Sequence, residues 1–348
     1  MRLVHAIRSD GFAGVERHVA RLARAQTERG HAVVIVGGDA AAMRSAVASQ
    51  AVRLRPAVTT FDVLRALRHL SPGADLIHVH MTAAEIAATL ASAPHRDSLS
   101  TPVVSTRHFS RPRGRGASGR LVAAVARAGV HAQIAVSQFV ADRIDGPATM
   151  IHPGVDAVPD GRPAGERESV VLMVQRLQPE KRTDIGLRAF ASSGLARSGW
   201  RLVVAGDGAE REGLVRLAEA EGIGGAVSFL GTRSDVEDLM SRAAIMLAPC
   251  PVEGLGLSVL EAMASGLPVV AAASGGHLEL LADLDPCALY PPMDTRHAGT
   301  SLRELAGNIQ RRDAYGRAAR QIQRGAFSLS TQAARTDAVY AQVLGGAR

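Results

Sequence analysis

Short runs rich in Val, Ile and Leu alternate with longer stretches of helical periodicity along the chain, and this alternation admits few architectures. Strands separated by helices pair in parallel, and a parallel sheet needs helices over both faces. In the first half the strand candidates are 3–7, 33–36, 76–79, 103–106 and 133–136. Between the first two, residues 16–28 place Val19, Leu22 and Ala23 at three- and four-residue spacing, with Gly30 as a stop. Residues 156–165 are polar and rich in Pro and Gly, which reads as an interdomain linker. The alternation then restarts, with strands over 170–174, 201–205, 227–230, 245–248 and 268–271. Helices are expected over 184–192, 209–221, 235–241 and 258–264. No short-period repeat is visible. The two halves resemble each other only as successive doubly wound α/β units.

A chain of 348 residues accommodates two such units. No apolar run is long enough to span a membrane, and residues 1–7 read as a strand without the features of a secretory signal. The only cysteines, Cys250 and Cys287, indicate neither a disulfide framework nor a zinc cluster, so a reducing, cytoplasmic setting is expected. Net charge is +7, and all of it falls in residues 1–160, where 19 basic residues meet 12 acidic ones. Between 96 and 127 there are seven Arg and one Asp. Such a run either attracts phosphate-bearing partners or is a solvated face. Phe109 is its only aromatic, which disfavours a nucleic acid. Of 40 basic residues a single one, Lys181, is Lys. That is suggestive of a site where a compact ammonium matters more than a planar fork.

Four constellations carry candidate chemistry. Gly254-Leu255-Gly256-Leu257 leads into the helix expected at 258–264, where backbone amides and the helix dipole favour an anion. Glu253 and Glu261 bracket it and suit sugar hydroxyls better than phosphate. Arg176 and Lys181 follow the strand at 170–174, at the end of a parallel sheet where ligands bind, and two cations there suit a diphosphate. Gly14 opens the first helix, although neither residues 11–16 nor 206–211 have the dinucleotide G-x-G-x-x-G spacing, which weakens a nicotinamide oxidoreductase. His108 ends a strand, a position fit for an active-site rim, but it is one of 12 histidines. His78 and His80 point the same way from a strand without a visible third metal ligand. Each feature alone also has a reading as packing or plain surface.

Together these residues resemble glycosyltransferase family 4, the retaining enzymes of the GT-B fold. The likeness rests on residues 253–271 (an E-x7-E segment running from Glu253 to Glu261), on Gly275-Gly276-His277-Leu278-Glu279, and on 176–181. Phe229-Leu230-Gly231, residues 152–156 and residues 14–19 extend it across nearly the whole chain. Departures are Gln175 and Ala13 where Gly is usual, Leu278 where Pro is common, and Cys250 where Ser is frequent.

The resemblance implies two Rossmann-like doubly wound parallel-sheet domains facing a central cleft. Their expected bounds are 1–157, a linker at 158–168, 169–328, and a C-terminal helix over 329–348 packing back on the first domain. It implies transfer of a sugar with retention from a UDP- or GDP-linked donor to an acceptor hydroxyl. By position, Glu253 would hold the donor sugar, Glu261 the ribose, and Arg176 and Lys181 the diphosphate. Amides near Gly14, Gly254, Gly256 and Leu257 would assist, Gly231 to Arg233 would border the base, and His108 would hydrogen-bond the sugar near the reacting carbon. No cofactor or metal is expected. The acceptor is unnamed, anionic or lipid-linked in one version, with Arg107, Arg111, Arg113, Arg115 and Arg120 making peripheral contact at the inner membrane face. An epimerase or phosphorylase on the same fold, and a non-catalytic nucleotide-sugar or anionic-lipid binding protein, stand as alternatives.

Overall fold

A computed structural model describes residues 1–92, 101–114, 116–159 and 162–346. The chain forms two compact units, Met1–Gly154 with Leu329–Arg348, and Val155–Ser328.

The first unit holds seven parallel strands, β1 (Arg2–Ile7), β2 (Ala32–Val36), β3 (Arg53–Arg55), β4 (Leu76–His80), β5 (Val103–Arg107), β6 (Ala132–Ala135) and β7 (Thr149–Met150). Their spatial order is β3-β2-β1-β4-β5-β6-β7. The chain builds outward from β1 to one edge, then returns to β4 and builds toward the other. The reversal opens a crevice between β1 and β4 at the carboxyl ends of the strands, where open α/β sheets bind ligands. Alternate residues serve the two faces. Leu3, Val19, Ile35 and Leu76 share one core layer with Val339 and Tyr340 of the C-terminal helix Leu329–Gly346. Val4, Ala6, Ile77 and Val79 pack in the other with Val63 and Leu67.

The second unit repeats the design with six strands, β8 (Glu168–Val174), β9 (Arg201–Ala205), β10 (Val227–Gly231), β11 (Ala243–Ala248), β12 (Val269–Ala272) and β13 (Leu289–Tyr290). Their order is β10-β9-β8-β11-β12-β13, so the reversal lies between β8 and β11. All six residues of β11 are buried, as expected of a strand covered by helices on both faces.

The doubly wound reading holds in both halves. The sequence reading passed over β3, β7 and β13, edge strands of two or three residues with too little apolar pattern to register. The boundary also differs. Residues 155–168, assigned from sequence to the end of the first domain and a linker, belong to the second unit. Val155 N–H donates to Phe327 O at 3.1 Å, and Ala164 N–H to Asp313 at 2.8 Å. Arg167 is buried and donates to the carbonyls of Met240, Ala243 and Ser265. Proline and glycine made this segment look like a free tether, whereas its polar groups strap it to the domain that follows. Asp160 and Gly161 lie outside the described residues.

Candidate active site

The candidate residues fall into two groups, one at each sheet reversal. In the second unit, the loop after β8 carries Arg176 and Lys181, and the loop after β11 carries Cys250 and Glu253. Gln175, one of the departures from the family pattern, donates through Nε2 to Lys181 O at 3.1 Å and Thr183 Oγ1 at 2.8 Å, pinning its loop. Lys181 Nζ donates to Glu253 Oε2 at 2.6 Å. Burial alone would discharge both partners, but the opposite charge outweighs it. The Lys181 ammonium is held above its ordinary pKa and the Glu253 carboxyl below its own. Arg176 is exposed, with Glu180 at 3.2 Å.

The Glu253 loop is seated by glycines. Gly275 has φ +61°, and a Cβ there would sit 2.4 Å from Glu253 O. Its neighbour Gly276 donates its N–H to that same oxygen at 3.0 Å. Gly256, at φ +101°, starts the helix Leu257–Ala264. A Cβ at Gly256 would lie 3.3 Å from His277 Nε2 and 3.5 Å from Glu253 Cγ. His277 Nδ1–H donates to Ala272 O at 3.1 Å, which turns the Nε2 edge toward this loop. Burial lowers the His277 pKa, partly opposed by Glu253. Cys250 Sγ donates to Glu180 O, and burial raises its pKa to about 11, so it is an inert thiol. Glu261 is buried one turn into the helix, and Gly254 and Leu257 flank its start. The structure does not bring Arg233 into this group. Its guanidinium is exposed and pairs with Asp235 at 2.8 and 2.6 Å, beside Gly231 at the end of β10.

In the first unit, Gly14 begins the helix Gly14–Glu28, exposed, with Ala13 N–H donating to Glu16 at 2.9 Å. His108 follows β5 and is half-buried. It belongs to a cluster that sequence reasoning missed. Register sets His5 of β1 beside His78 of β4, with His80 two residues on along the same face. His5 Nδ1 lies 3.1 Å from His80 Nε2, and His80 Nδ1 lies 3.2 Å from His108 Nε2. The His18 ring meets that of His108 edge-on at 4.8 Å. Burial lowers all five pKa values, that of His5 to about 4 and that of His108 to about 3. Met81, directly after His80, has φ +73°, a strained conformation for such a side chain.

Two histidine triplets, His5-His78-His80 and His18-His80-His108, have ring nitrogens within 4.8 Å of one another. In the first triplet both nitrogens of every ring already take part in hydrogen bonds, with each other, His108, Gln26, Tyr340 and Thr106. A cation there would displace the chain's own bonds, and neither triplet includes a carboxylate.

The arginine-rich run needs correction. Arg107 and Arg113 are buried, not surface charges. Arg113 pairs with Glu85 at 2.6 Å and also with Asp145, while Arg107 donates to Asp145 at 3.2 Å. Carboxylates distant in sequence captured them. Arg111 and Arg120 are exposed, and Arg115 lies outside the described residues. Phe109, Leu121 and Val122 are exposed apolar residues of the same segment. Among the described residues no helix is long and apolar enough to cross a membrane.

Known proteins match both halves. Residues 157–322 match the family model for glycosyl transferases group 1, and residues 12–158 that for glycosyltransferase family 4. A D-inositol 3-phosphate glycosyltransferase of Mycobacterium tuberculosis is 41% identical over 145 residues, covering 36% of this chain and 29% of that protein. The match therefore spans less than a third of the length of such relatives. Among solved structures, Anabaena HepE in complex with UDP-glucose superposes with a TM-score of 0.80 at 20% identity, covering 98% of this chain and 100% of that one. Sucrose-phosphate synthase from Thermosynechococcus elongatus gives 0.77 at 18% identity, covering 99% and 100%. These likenesses establish the two-domain GT-B fold.

Proposed function

The chain belongs to glycosyltransferase family 4, and from that premise we propose that it moves a sugar, with retention at the anomeric carbon, from a UDP- or GDP-linked donor to an acceptor hydroxyl. One observation carries the reading. The single lysine and Glu253 meet at 2.6 Å beside a helix N-terminus, at the reversal of the second sheet. A nucleotide sugar offers each partner a use. Its diphosphate competes for the Lys181 ammonium, and its hydroxyls donate to the Glu253 carboxylate. HepE, similar over nearly the whole chain, has been solved with UDP-glucose, which supports this donor class.

In the reaction a bond forms between the acceptor oxygen and the anomeric carbon as the bond to the diphosphate breaks. Negative charge then grows on the leaving oxygen. Lys181, held protonated, and the exposed fork of Arg176 stabilise it in the manner a metal ion supplies elsewhere, so the proposal needs none. Amides at Gly14, Gly254, Gly256 and Leu257 add donors, and Glu261 takes the ribose. Gly231 and Arg233 border the base, and His108 hydrogen-bonds the sugar. The chain acts in the cytoplasm, with Arg111 and Arg120 attracting an anionic acceptor or membrane surface.

A thermal-shift panel of UDP-, GDP- and ADP-sugars tests the donor class, since a ligand of the native state stabilises it by RT ln(1 + [L]/Kd). The expected result is a shift with a UDP- or GDP-sugar that is lost in Glu261→Ala. No shift with any donor would refute the reading. Conversion of the donor to an epimer without acceptor would point to isomerisation instead.

A further inference from the structure

We propose that the buried histidines of the first unit form a directional hydrogen-bond relay, anchored at Asp337, that fixes His108 as its Nε2–H tautomer and leaves Nδ1 as a pure acceptor. The first step is the orientation of one amide. The Asp337 carboxylate, on the C-terminal helix, accepts from Arg29 Nε at 2.7 Å and from His31 Nε2 at 3.1 Å. It can only accept, so the group that Gln26 turns toward it, at 3.4 Å, is the amide NH2. The Gln26 oxygen therefore faces His5 Nε2, at 2.7 Å.

Each later step follows from the one before. An amide oxygen requires a donor, so His5 carries its proton on Nε2. His5 is neutral in its buried site, and its Nδ1 must then accept. His80 Nε2, 3.1 Å away, must donate, and neutral His80 presents a bare Nδ1 to His108. His108 Nε2, at 3.2 Å, must donate in turn. A neutral imidazole has one proton, so His108 Nδ1 keeps a lone pair. The same Gln26 amide sets a second branch through its nitrogen. That nitrogen donates to Tyr340 Oη at 3.3 Å, the hydroxyl donates to His78 Nδ1 at 2.6 Å, and His78 Nε2–H donates to Thr106 at 2.6 Å.

His18 takes the opposite form. Gln332 Oε1 accepts from Gly154 N–H at 2.8 Å, so its NH2 faces His18 Nε2 at 3.4 Å, and His18 holds its proton on Nδ1. That N–H is buried without a partner among the described residues, on a ring in edge contact with His108. A bare acceptor on His108 and a spare donor on His18 suit a hydroxyl group, which gives one hydrogen bond and takes another. This consequence rests on the proposed role of His108 toward the donor sugar. The tautomers do not, because they follow from the hydrogen bonds between neutral, buried rings. Gln26, His5 and His80 are thus positioning residues for His108.

Long-range 1H–15N correlation spectra of the full chain, labelled at histidine and assigned by single His→Gln replacements, read each tautomer directly. At pH 7 His5, His78, His80 and His108 should each show one Nε2–H form and His18 the Nδ1–H form, while exposed His69 supplies an averaged reference. An Nδ1–H, averaged or protonated His108 in the unaltered chain would overturn the proposal. Gln26→Met removes the acceptor that sets the direction, so His108 should become mixed or inverted. An unchanged single Nε2–H form in a folded Gln26→Met chain would also overturn it. Failure to transfer sugar from any donor would remove the proposed reaction and leave the tautomer result standing.

Discussion

The two sheet reversals bury titratable groups in opposite ways. In the first unit four buried histidines and the half-buried His108 are neutral, and in the second Lys181 and Glu253 are both charged and joined. The reason lies in how far each group's ordinary pKa stands from neutrality. Discharging a lysine of pKa 10.5 at pH 7 spans 3.5 units, and a glutamate of 4.5 spans 2.5 units. At 1.36 kcal/mol per unit these cost about 5 and about 3 kcal/mol. A histidine of 6.5 gives up its charge for almost nothing. Burial therefore neutralises histidines and forces Lys and Glu to pair. The first reversal presents polarity without charge, and the second stores charge in a contact that an anionic substrate can open.

The largest effect that tests this contrast is acid unfolding of the first unit. Each of its five histidines has a folded pKa below the unfolded value of 6.5, so the unfolded chain binds more protons. That stability is fully present above pH 6.5 and is lost as pH falls toward the folded values, about 4 for His5 and about 3 for His108. Each histidine can remove up to about 1.4 kcal/mol per pH unit in this window. Several together match a domain stability of about 5–15 kcal/mol. The second unit has one such group in the site, His277, and its Glu253 contribution is lost only below about 4.5. Hydrogen exchange between pH 7 and 5 should show strands β1, β4 and β5 opening before β8 and β11. The reverse order would break the comparison.

Lys181→Ala probes the other side. It should lower turnover about tenfold or more, since a charged hydrogen bond contributes roughly 1.5–3 kcal/mol. It also strands Glu253, largely buried, and should destabilise the second unit by about 2–3 kcal/mol. Adding Glu253→Ala should restore much of the stability and none of the turnover. A double variant no more stable than the single one would show that the pair is not what holds the loops.

Two buried tyrosines sharpen the contrast on a smaller scale. Tyr340 Oη is fully engaged between Gln26 and His78, whereas Tyr290 Oη in the second unit is buried without a partner among the described residues. Tyr340→Phe should cost about 1–3 kcal/mol in chemical denaturation, because it leaves two polar groups unsatisfied. Tyr290→Phe should be neutral or stabilising for the opposite reason. Equal losses in both would mean that the hydroxyl partners do not decide the outcome.

How legible each region was in the sequence follows the same divide. The second-unit group lies in two compact motifs, 175–183 and 250–264, so local spacing revealed it, and strand alternation gave its place at the sheet end. Glu261 read as helical and crowded, and it is buried. The first-unit cluster is drawn from residues 5, 18, 26, 78, 80, 108, 337 and 340, scattered over two strands, the loop after a third, and two helices. His78-Val79-His80 was visible as a pair on one strand face. Its third member, His5, comes into view only once β1 is known to neighbour β4. Arg107 and Arg113 failed for a related reason, because Glu85 and Asp145 reach them through tertiary structure.

The smallest expected effect concerns the charge that remains outside. With Arg107 and Arg113 internal, Arg111, Arg120 and Arg127 are the exposed cations of the described part of the run, the first two beside exposed Phe109, Leu121 and Val122. Each contributes about 1 kcal/mol near an anionic leaflet, so Arg111→Gln with Arg120→Gln should weaken vesicle binding about 30-fold. Arg113→Gln should instead lower stability without changing the affinity of the folded fraction, since its guanidinium serves Glu85 and Asp145. Attraction of this kind is screened. Binding of the unaltered chain should fall between about 50 and 200 mM salt, as the Debye length shortens from about 14 to 7 Å. Co-sedimentation with anionic and neutral vesicles at both salt levels measures it. Equal pelleting with both lipids would assign the attraction to the apolar residues. No pelleting with either would leave Arg111 and Arg120 to a soluble anionic acceptor, which thermal shifts with inorganic phosphate should then detect and the double variant abolish.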